Sequence, residues 1–276
     1  FALTVTKAGT GGGSVVSNPT GVACGADCMG SYDYNTMVTL TATPSIGSMF
    51  TGWSGACTGT AICVVTMTQA RSVTATFALM QFALTTTIAG SGTVTSSPAG
   101  ITCPTDCTES YAFGQMVTLT AVAGTGSTFT GWSGACTGTG TCTVTVDAAK
   151  SVTATFTLNM YTLTIAKAGA GSGTVTGTGI NCGADCTETV NFGTMITLTP
   201  APDVGSTFTG WSGGGCTGTG ACTVTVMAAT TVTATFGLQT FTLTAVPGGN
   251  GAGTITSAPA GISCGSDCSE LYTYNQ

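Results

Sequence analysis

The sequence predicts an all-β fold, arranged as a rod-like tandem array of small disulfide-stapled β modules of about 80 residues each. Three observations support this prediction. Thr occupies 62 and Gly 42 of the 276 positions, apolar residues alternate with period two, and the same phrases recur along the chain. Thr and Val favour half-buried strands, whereas Gly favours the turns between them.

Three anchor phrases define the repeat, because fixed-period self-similarity is typical of tandem arrays. A Phe/Tyr-x-Leu-Thr phrase begins at Phe1, Phe82, Tyr161 and Phe241. Thr-Gly-Trp-Ser-Gly and Val-Thr-Ala-Thr-Phe also recur in each of the first three repeats. The predicted modules are residues 1–80, 81–159, 160–239 and a partial fourth at 240–276, and we expect the chain to be a section of a longer protein.

The alternation in the second module predicts seven strands and one inward face. The strands are expected at 82–88, 92–97, 109–113, 115–122, 128–133, 141–146 and 151–158. The inward residues are expected to be Leu84, Val94, Tyr111, Val117, Leu119, Phe129, Trp132, Val144, Val146, Val152, Ala154 and Phe156. A domain of this size buries a modest core, so additional covalent support is expected.

The junctions between modules contain no Pro-, Gly- or Ser-rich linker. The alternation instead continues through each junction with a shift of one position, for example between Leu79 and Phe82. Such a shift exchanges the two faces of a strand. We therefore expect each last strand to lead into the next first strand through a bulge or tight turn, which would make the array rigid.

Fourteen cysteines supply the expected covalent support. Each full module has a C-x3-C pair and a later C-x5-C pair, and we favour local disulfides because each pair brackets turn-forming residues. Loops this short stabilise a fold by about 2 kcal/mol each, and disulfides indicate an oxidising, extracellular compartment. A four-cysteine zinc site is the competing interpretation. The expected pairs are Cys24–Cys28, Cys57–Cys63, Cys103–Cys107, Cys136–Cys142, Cys182–Cys186, Cys216–Cys222 and Cys264–Cys268.

The charge pattern excludes several function classes. Charged residues make up 5% of the chain, the net charge is −6, and only four basic residues are present. Nucleic-acid binding requires clustered Lys and Arg, so no nucleic-acid partner is expected. No apolar run reaches the roughly 18 residues of a membrane span. Without histidine a thiol nucleophile lacks its usual base, so we expect no enzyme, no cofactor and no metal.

Two recurring residue types are candidates for binding. An Asp precedes the second cysteine of each C-x3-C pair, at Asp27, Asp106, Asp185 and Asp267. It could contribute to a weak calcium site, or it could cap its own turn. Trp53, Trp132 and Trp211 could face a ligand such as a glycan, or each could be the large aromatic residue of a small core.

A family resemblance adds to these arguments. Residues 127–156, which begin Ser-Thr-Phe-Thr-Gly-Trp-Ser-Gly-Ala-Cys, and the Gly-Thr-Val-Thr segment that begins residues 92–103 resemble the divergent internalin-type B-repeats of bacterial surface and secreted proteins. The resemblance implies tandem β-rich modules without catalytic residues. We expect an extracellular structural fibre or stalk on a bacterial surface, which associates with other copies of itself or displays an adhesive tip. The alternative is an adhesin module that binds a cell-surface glycan or protein through its Trp and Asp loops.

Overall fold

The computed structural model describes residues 1–276 and contains only β-strands and their connections. Each full repeat has eight strands. In the first repeat they are β1 Ala2–Ala8, β2 Gly13–Asn18, β3 Ala23–Cys24, β4 Met29–Ser31, β5 Met37–Pro44, β6 Ser48–Gly55, β7 Cys63–Thr66 and β8 Arg71–Leu79.

The second repeat follows the same order of strands. They are β9 Gln81–Ala89, β10 Gly92–Ser97, β11 Thr102–Cys103, β12 Thr108–Ala112, β13 Gln115–Ala123, β14 Ser127–Gly134, β15 Cys142–Val146 and β16 Lys150–Leu158. All seven predicted strands are confirmed, and their ends differ from the prediction by at most one residue. The two-residue β11 is the only strand of this repeat that was not predicted.

The third repeat and the partial fourth repeat continue the pattern. Their strands are β17 Met160–Ala168, β18 Gly173–Gly177, β19 Ile180–Cys182, β20 Thr187–Asn191, β21 Thr194–Pro202, β22 Ser206–Ser212, β23 Cys222–Val226, β24 Thr230–Leu238, β25 Thr240–Thr244, β26 Ile255–Thr256, β27 Ser263–Cys264 and β28 Ser269–Thr273.

Two four-stranded sheets form each full repeat. In the first repeat the first sheet has the order β4-β1-β8-β6 and the second sheet has the order β3-β2-β5-β7. The first strand β1 runs parallel to the last strand β8, from Leu3 opposite Arg71 to Ala8 opposite Thr76, and the other pairings are antiparallel. The second and third repeats have the same strand orders.

One apolar core lies between the two sheets of each repeat, and alternation explains its membership. In β8 the side chains of Val73, Ala75 and Phe77 are buried while the intervening Thr side chains are half-buried. In the second repeat all the predicted inward residues belong to the core except Phe129, which is partly buried and packs against it. Ile101, which the prediction omitted, is also buried.

The chain divides into two compact units, residues 1–157 and residues 158–276. The first unit contains two repeats, and the second contains the third repeat with the partial fourth. A separate domain boundary at every repeat stays a prediction.

Candidate functional site

The three Trp side chains are buried, as expected for the large aromatic residue of a small core rather than for an exposed ligand-facing ring. Trp53, Trp132 and Trp211 are only 6%, 5% and 5% exposed, and each belongs to the core of its repeat. Each indole Nε1 donates a hydrogen bond of 3.0 Å to a carbonyl in the loop that follows. A neighbouring Phe ring packs against each indole at a centroid distance of 4.9–5.0 Å. Each indole ring therefore anchors the core of its repeat, because its apolar faces pack within the repeat and its one hydrogen-bond donor has a partner there.

The structure joins all 14 cysteines into seven local disulfides, with the pairing favoured by the sequence. The Cα atoms of the C-x3-C pairs are 4.2–4.5 Å apart, and those of the C-x5-C pairs are 5.4–5.5 Å apart. Because every sulfur is part of a disulfide, no thiolate remains to bind zinc as the competing interpretation required. No group of three or more Cys, Asp or Glu residues is placed to hold a metal ion.

The recurring Asp caps the edge of a strand. Asp27 Oδ1 accepts a hydrogen bond of 3.1 Å from the backbone amide of Met29, at the start of β4. Asp106, Asp185 and Asp267 make the same contact two residues on, at 3.1–3.3 Å. In the second repeat Glu109 Oε1 accepts a 2.7 Å hydrogen bond from the next outward amide, that of Ser110. These carboxylates therefore act as hydrogen-bond acceptors for the backbone amides of an edge strand.

Loops cover two further strand edges in each repeat. The amide of Trp53, in β6, donates a 2.7 Å hydrogen bond to the carbonyl of Gly59 in the disulfide loop. The amide of Ala23, in β3, donates a 3.0 Å hydrogen bond to the carbonyl of Asp27 in its own turn. The second and third repeats have equivalent bridges, at Trp132 with Gly138 and Trp211 with Gly218 for the first contact, and at Thr102 with Asp106 and Asn181 with Asp185 for the second.

A single residue connects the first and second repeats, as the expectation of a tight junction requires. Met80 lies between β8 and β9; its amide donates a 2.8 Å hydrogen bond to the carbonyl of Gly47, and its carbonyl accepts one of 2.8 Å from the amide of Phe113. The Phe113 ring lies against Gly47, where a Cβ atom would stand 1.9 Å from the ring. The backbone and the aromatic ring therefore fix this junction together.

The second unit contains the same arrangement. Gln239 lies between β24 and β25, and it bonds to the carbonyl of Gly205 and the amide of Tyr274 at 2.8 Å each. The Tyr274 ring lies against Gly205. These junction residues were not predicted from the sequence. The pattern that could have revealed them is the recurrence of a Gly and an aromatic residue at fixed places in successive repeats.

One ion pair lies on the surface of the second repeat. Lys150 Nζ is 2.7 Å from Asp147 Oδ1. The hydrogen bond from Lys150, together with its positive charge, holds the pKa of the Asp147 carboxyl below its usual value. Both side chains are partly exposed, so the pair contributes little to stability.

The structure contains no helix that is long and apolar enough to cross a membrane.

Comparison with solved structures finds a similar fold in the Bacillus anthracis TIE protein, with a TM-score of 0.53 and 9% sequence identity over 86% of this chain. The chain spans 50% of the length of that structure. The pilus adhesin SpaC from Lactobacillus rhamnosus GG matches over 86% of this chain and 43% of its own, at 9% identity and a TM-score of 0.29, which is too low to support an argument. No curated protein matches the chain significantly.

The family comparison agrees with the repeats described above. The profile of the divergent InlB B-repeat domain matches residues 3–81, 82–160 and 161–240. These three matches cover the greater part of the 276 residues, and each includes one pair of four-stranded sheets. The chain therefore belongs to the divergent InlB B-repeat family.

Proposed function

We propose that this chain is a structural segment of an extracellular bacterial surface protein, in which it forms a fibre or a stiff stalk that displays an adhesive tip. The observation that carries the proposal is the junction built on Met80. A single connecting residue, two backbone hydrogen bonds and an aromatic ring against Gly47 oppose bending between the first two repeats. The same arrangement at Gln239 supports the idea that stiffness is a general property of the repeats.

The disulfides and the composition support the location. Seven local disulfides are typical of an oxidising compartment outside the cytoplasm. With only four Lys and Arg residues, the chain also offers trypsin-like proteases few sites, which suits a long-lived extracellular structure. Membership of the divergent InlB B-repeat family supports a role for these tandem repeats at a bacterial surface.

The burial of the three Trp side chains favours this structural role over the alternative of glycan recognition through Trp loops. A catalytic role has no support in the residues, because the chain has no histidine and all its cysteines form disulfides. We also propose the unit boundaries 1–80, 81–159, 160–239 and 240–276, so that each full repeat is one structural module.

The proposal is tested by immunogold electron microscopy of the native cells with an antibody against this segment. The expected result is label on stalks or fibres outside the cell envelope. Intact mass under non-reducing conditions should be about 14 units below the reduced mass, two for each of the seven disulfides. Label confined to the cytoplasm, together with free thiols, would refute the proposed location.

A further inference from the structure

The four sheet edges of each repeat are not equally protected. Exposed strand edges pair readily with other strands, and proteins usually block them with loops, charges or bulges. In the first repeat the edge of β6 is covered by a loop, that of β3 by its own turn, and that of β4 carries a carboxylate cap. The fourth edge strand, β7, has no such protection, and the same holds for β15 and β23. We call the outward sides of these three strands the open edges.

The backbone direction of β15 shows which groups the open edge presents. The carbonyl of Val146 accepts a 2.8 Å hydrogen bond from Gly114, so Val146 faces the neighbouring strand β13. Antiparallel pairs alternate between residues that face the partner and residues that face away. Thr143 and Thr145 therefore direct their N–H and C=O groups outward, and within the chain only the carbonyl of Thr145 has a partner there, the amide of Asp147.

The open edges are also free of charge and of proline. Their sequences are Cys-Val-Val-Thr in β7 and Cys-Thr-Val-Thr-Val in β15 and β23, which are rich in residues that favour strands. Beside β15 runs an open groove of about 480 Å³, lined by Thr143 to Thr145, by Gly134 and Ser151 of the first sheet of that repeat, and by Ala135, Ala149 and the Asp147–Lys150 ion pair. The groove gives an extended strand access to the outward amides of β15.

We propose that the open edges are self-association surfaces, at which β15 pairs antiparallel with the same strand of a second copy of this chain. A two-fold axis at Val144 places Thr143 opposite Thr145 of the second copy, and each of these two pairs exchanges backbone hydrogen bonds. The pairing adds a strand to an existing sheet, as in β-augmentation. The equivalent pairs use Val64 with Thr66, and Thr223 with Thr225.

The side chains of the open edges are complementary to themselves. Antiparallel pairing of two copies places Thr opposite Thr in β15 and β23, a favourable cross-strand combination, and Val64 opposite Thr66 in β7. This chain already uses that combination within its own sheets, with Oγ1–Oγ1 distances of 3.3 Å between Thr118 and Thr143 and 3.0 Å between Thr197 and Thr223. No like charges meet along the edge, so a second copy is a better match than a charged peptide.

This inference deepens the proposed fibre function and rests on it for its biological setting. The test is sedimentation equilibrium of the full chain from about 10 μM to about 1 mM, a range that covers weak association. The first variant is the triple substitution Val64→Pro, Thr143→Pro and Thr223→Pro. Because these amides face away from the neighbouring strands, proline removes one of the two outward donors of each open edge and preserves the internal ladder.

A second triple variant, Val64→Lys, Thr143→Lys and Thr223→Lys, keeps every amide and adds like charges across the two-fold axis. The matched control is the double variant Thr143→Val and Thr223→Val, which copies the residue found naturally at position 64. We expect concentration-dependent association of the wild type, no more than a twofold change in the control, and at least tenfold weaker association in both disruptive variants. Circular dichroism and non-reducing mass verify folding in each case.

Either of two results would overturn the inference: a wild-type chain that stays monomeric at about 1 mM, or association that both folded disruptive variants retain. A monomeric chain that still labels stalks on cells would leave the proposed function standing. Cytoplasmic label would instead contradict the proposed function, whereas the association measured in solution would be unaffected.

Discussion

The substitution Gly47→Ala tests whether the aromatic ring fixes the junction between the first two repeats. Gly47 has a φ of +73°, where an L-residue is strained by about 1–2 kcal/mol. Its new Cβ would also stand 1.9 Å from Cδ1 of Phe113, so the ring must leave its place. Displacing a half-buried Phe costs roughly another 1–2 kcal/mol of apolar burial. We therefore expect local destabilisation of about 2–4 kcal/mol.

The chain offers a matched control in Gly114→Ala. Gly114 has a similar φ of +79°, but no atom lies within 4 Å of the position that a Cβ would take there, so this change introduces the strain without the clash. The assay is hydrogen exchange at the amides of Met80 and Phe113, which donate the two junction hydrogen bonds. Local exchange reports opening of this region alone, independently of the other repeats.

The expected result for Gly47→Ala is a loss of protection at both amides of roughly thirtyfold or more, the equivalent of about 2 kcal/mol. Gly114→Ala should cause a clearly smaller loss at Met80. In a Phe113→Ala background the cost of Gly47→Ala should fall to that of the backbone strain, since coupled residues are non-additive. Equal protection in wild type and Gly47→Ala, or equal effects of the two Gly substitutions, would refute the role of the ring.

Three further predictions concern the second repeat. Replacing Cys103 and Cys107 by Ala should lower its unfolding free energy by about 2 kcal/mol, measured by denaturant titration, because a short loop in the unfolded chain is no longer closed; an unchanged midpoint would contradict this. Trp132→Phe should cost about 1–3 kcal/mol by the same assay, because a loop carbonyl loses its donor, and a neutral result would argue against an anchoring role. Lys150→Met should raise the pKa of Asp147 towards its ordinary value, as measured by NMR. Because the carboxyl pKa of Asp147 is lowered in the folded state, the ion pair stabilises the fold at pH values above the ordinary carboxyl pKa. This stabilisation is lost as the pH falls through the pKa of the folded state, and the pH dependence of stability should be smaller in the variant.

The period-two pattern was enough to predict the strands and most of the core. Leu84, Val117 and Val152 alternate with Thr, and a strand has only two faces, so the buried face follows directly from the pattern. The strand β11 escaped prediction because two residues are too few to show alternation. Burial of Ile101 could have been predicted from its spacing of two from Cys103.

The junction and the edge caps could not be predicted in the same way. The contact between Gly47 and Phe113 joins residues of different repeats, and its cause is the path of the backbone rather than any local pattern. The role of Asp106 remained open because a carboxylate before a cysteine can cap its own turn or contribute to a cation site. Its contact with the amide of Thr108 depends on where β12 begins.

The parallel pairing of β1 with β8 determines how a repeat would respond to tension. The chain enters each repeat at the start of its first strand and leaves at the end of its last, and these two strands lie side by side over six residue pairs. Pulling the two ends apart slides one strand along the other, so the load is shared by all the hydrogen bonds between them instead of opening them in turn. We expect single-molecule force spectroscopy to show that the repeats unfold at high force, each with a similar gain in extension. Unfolding at low force would contradict this reasoning. A chain of such repeats would work as a tether, with its strength located in the pair of strands that begins and ends every unit.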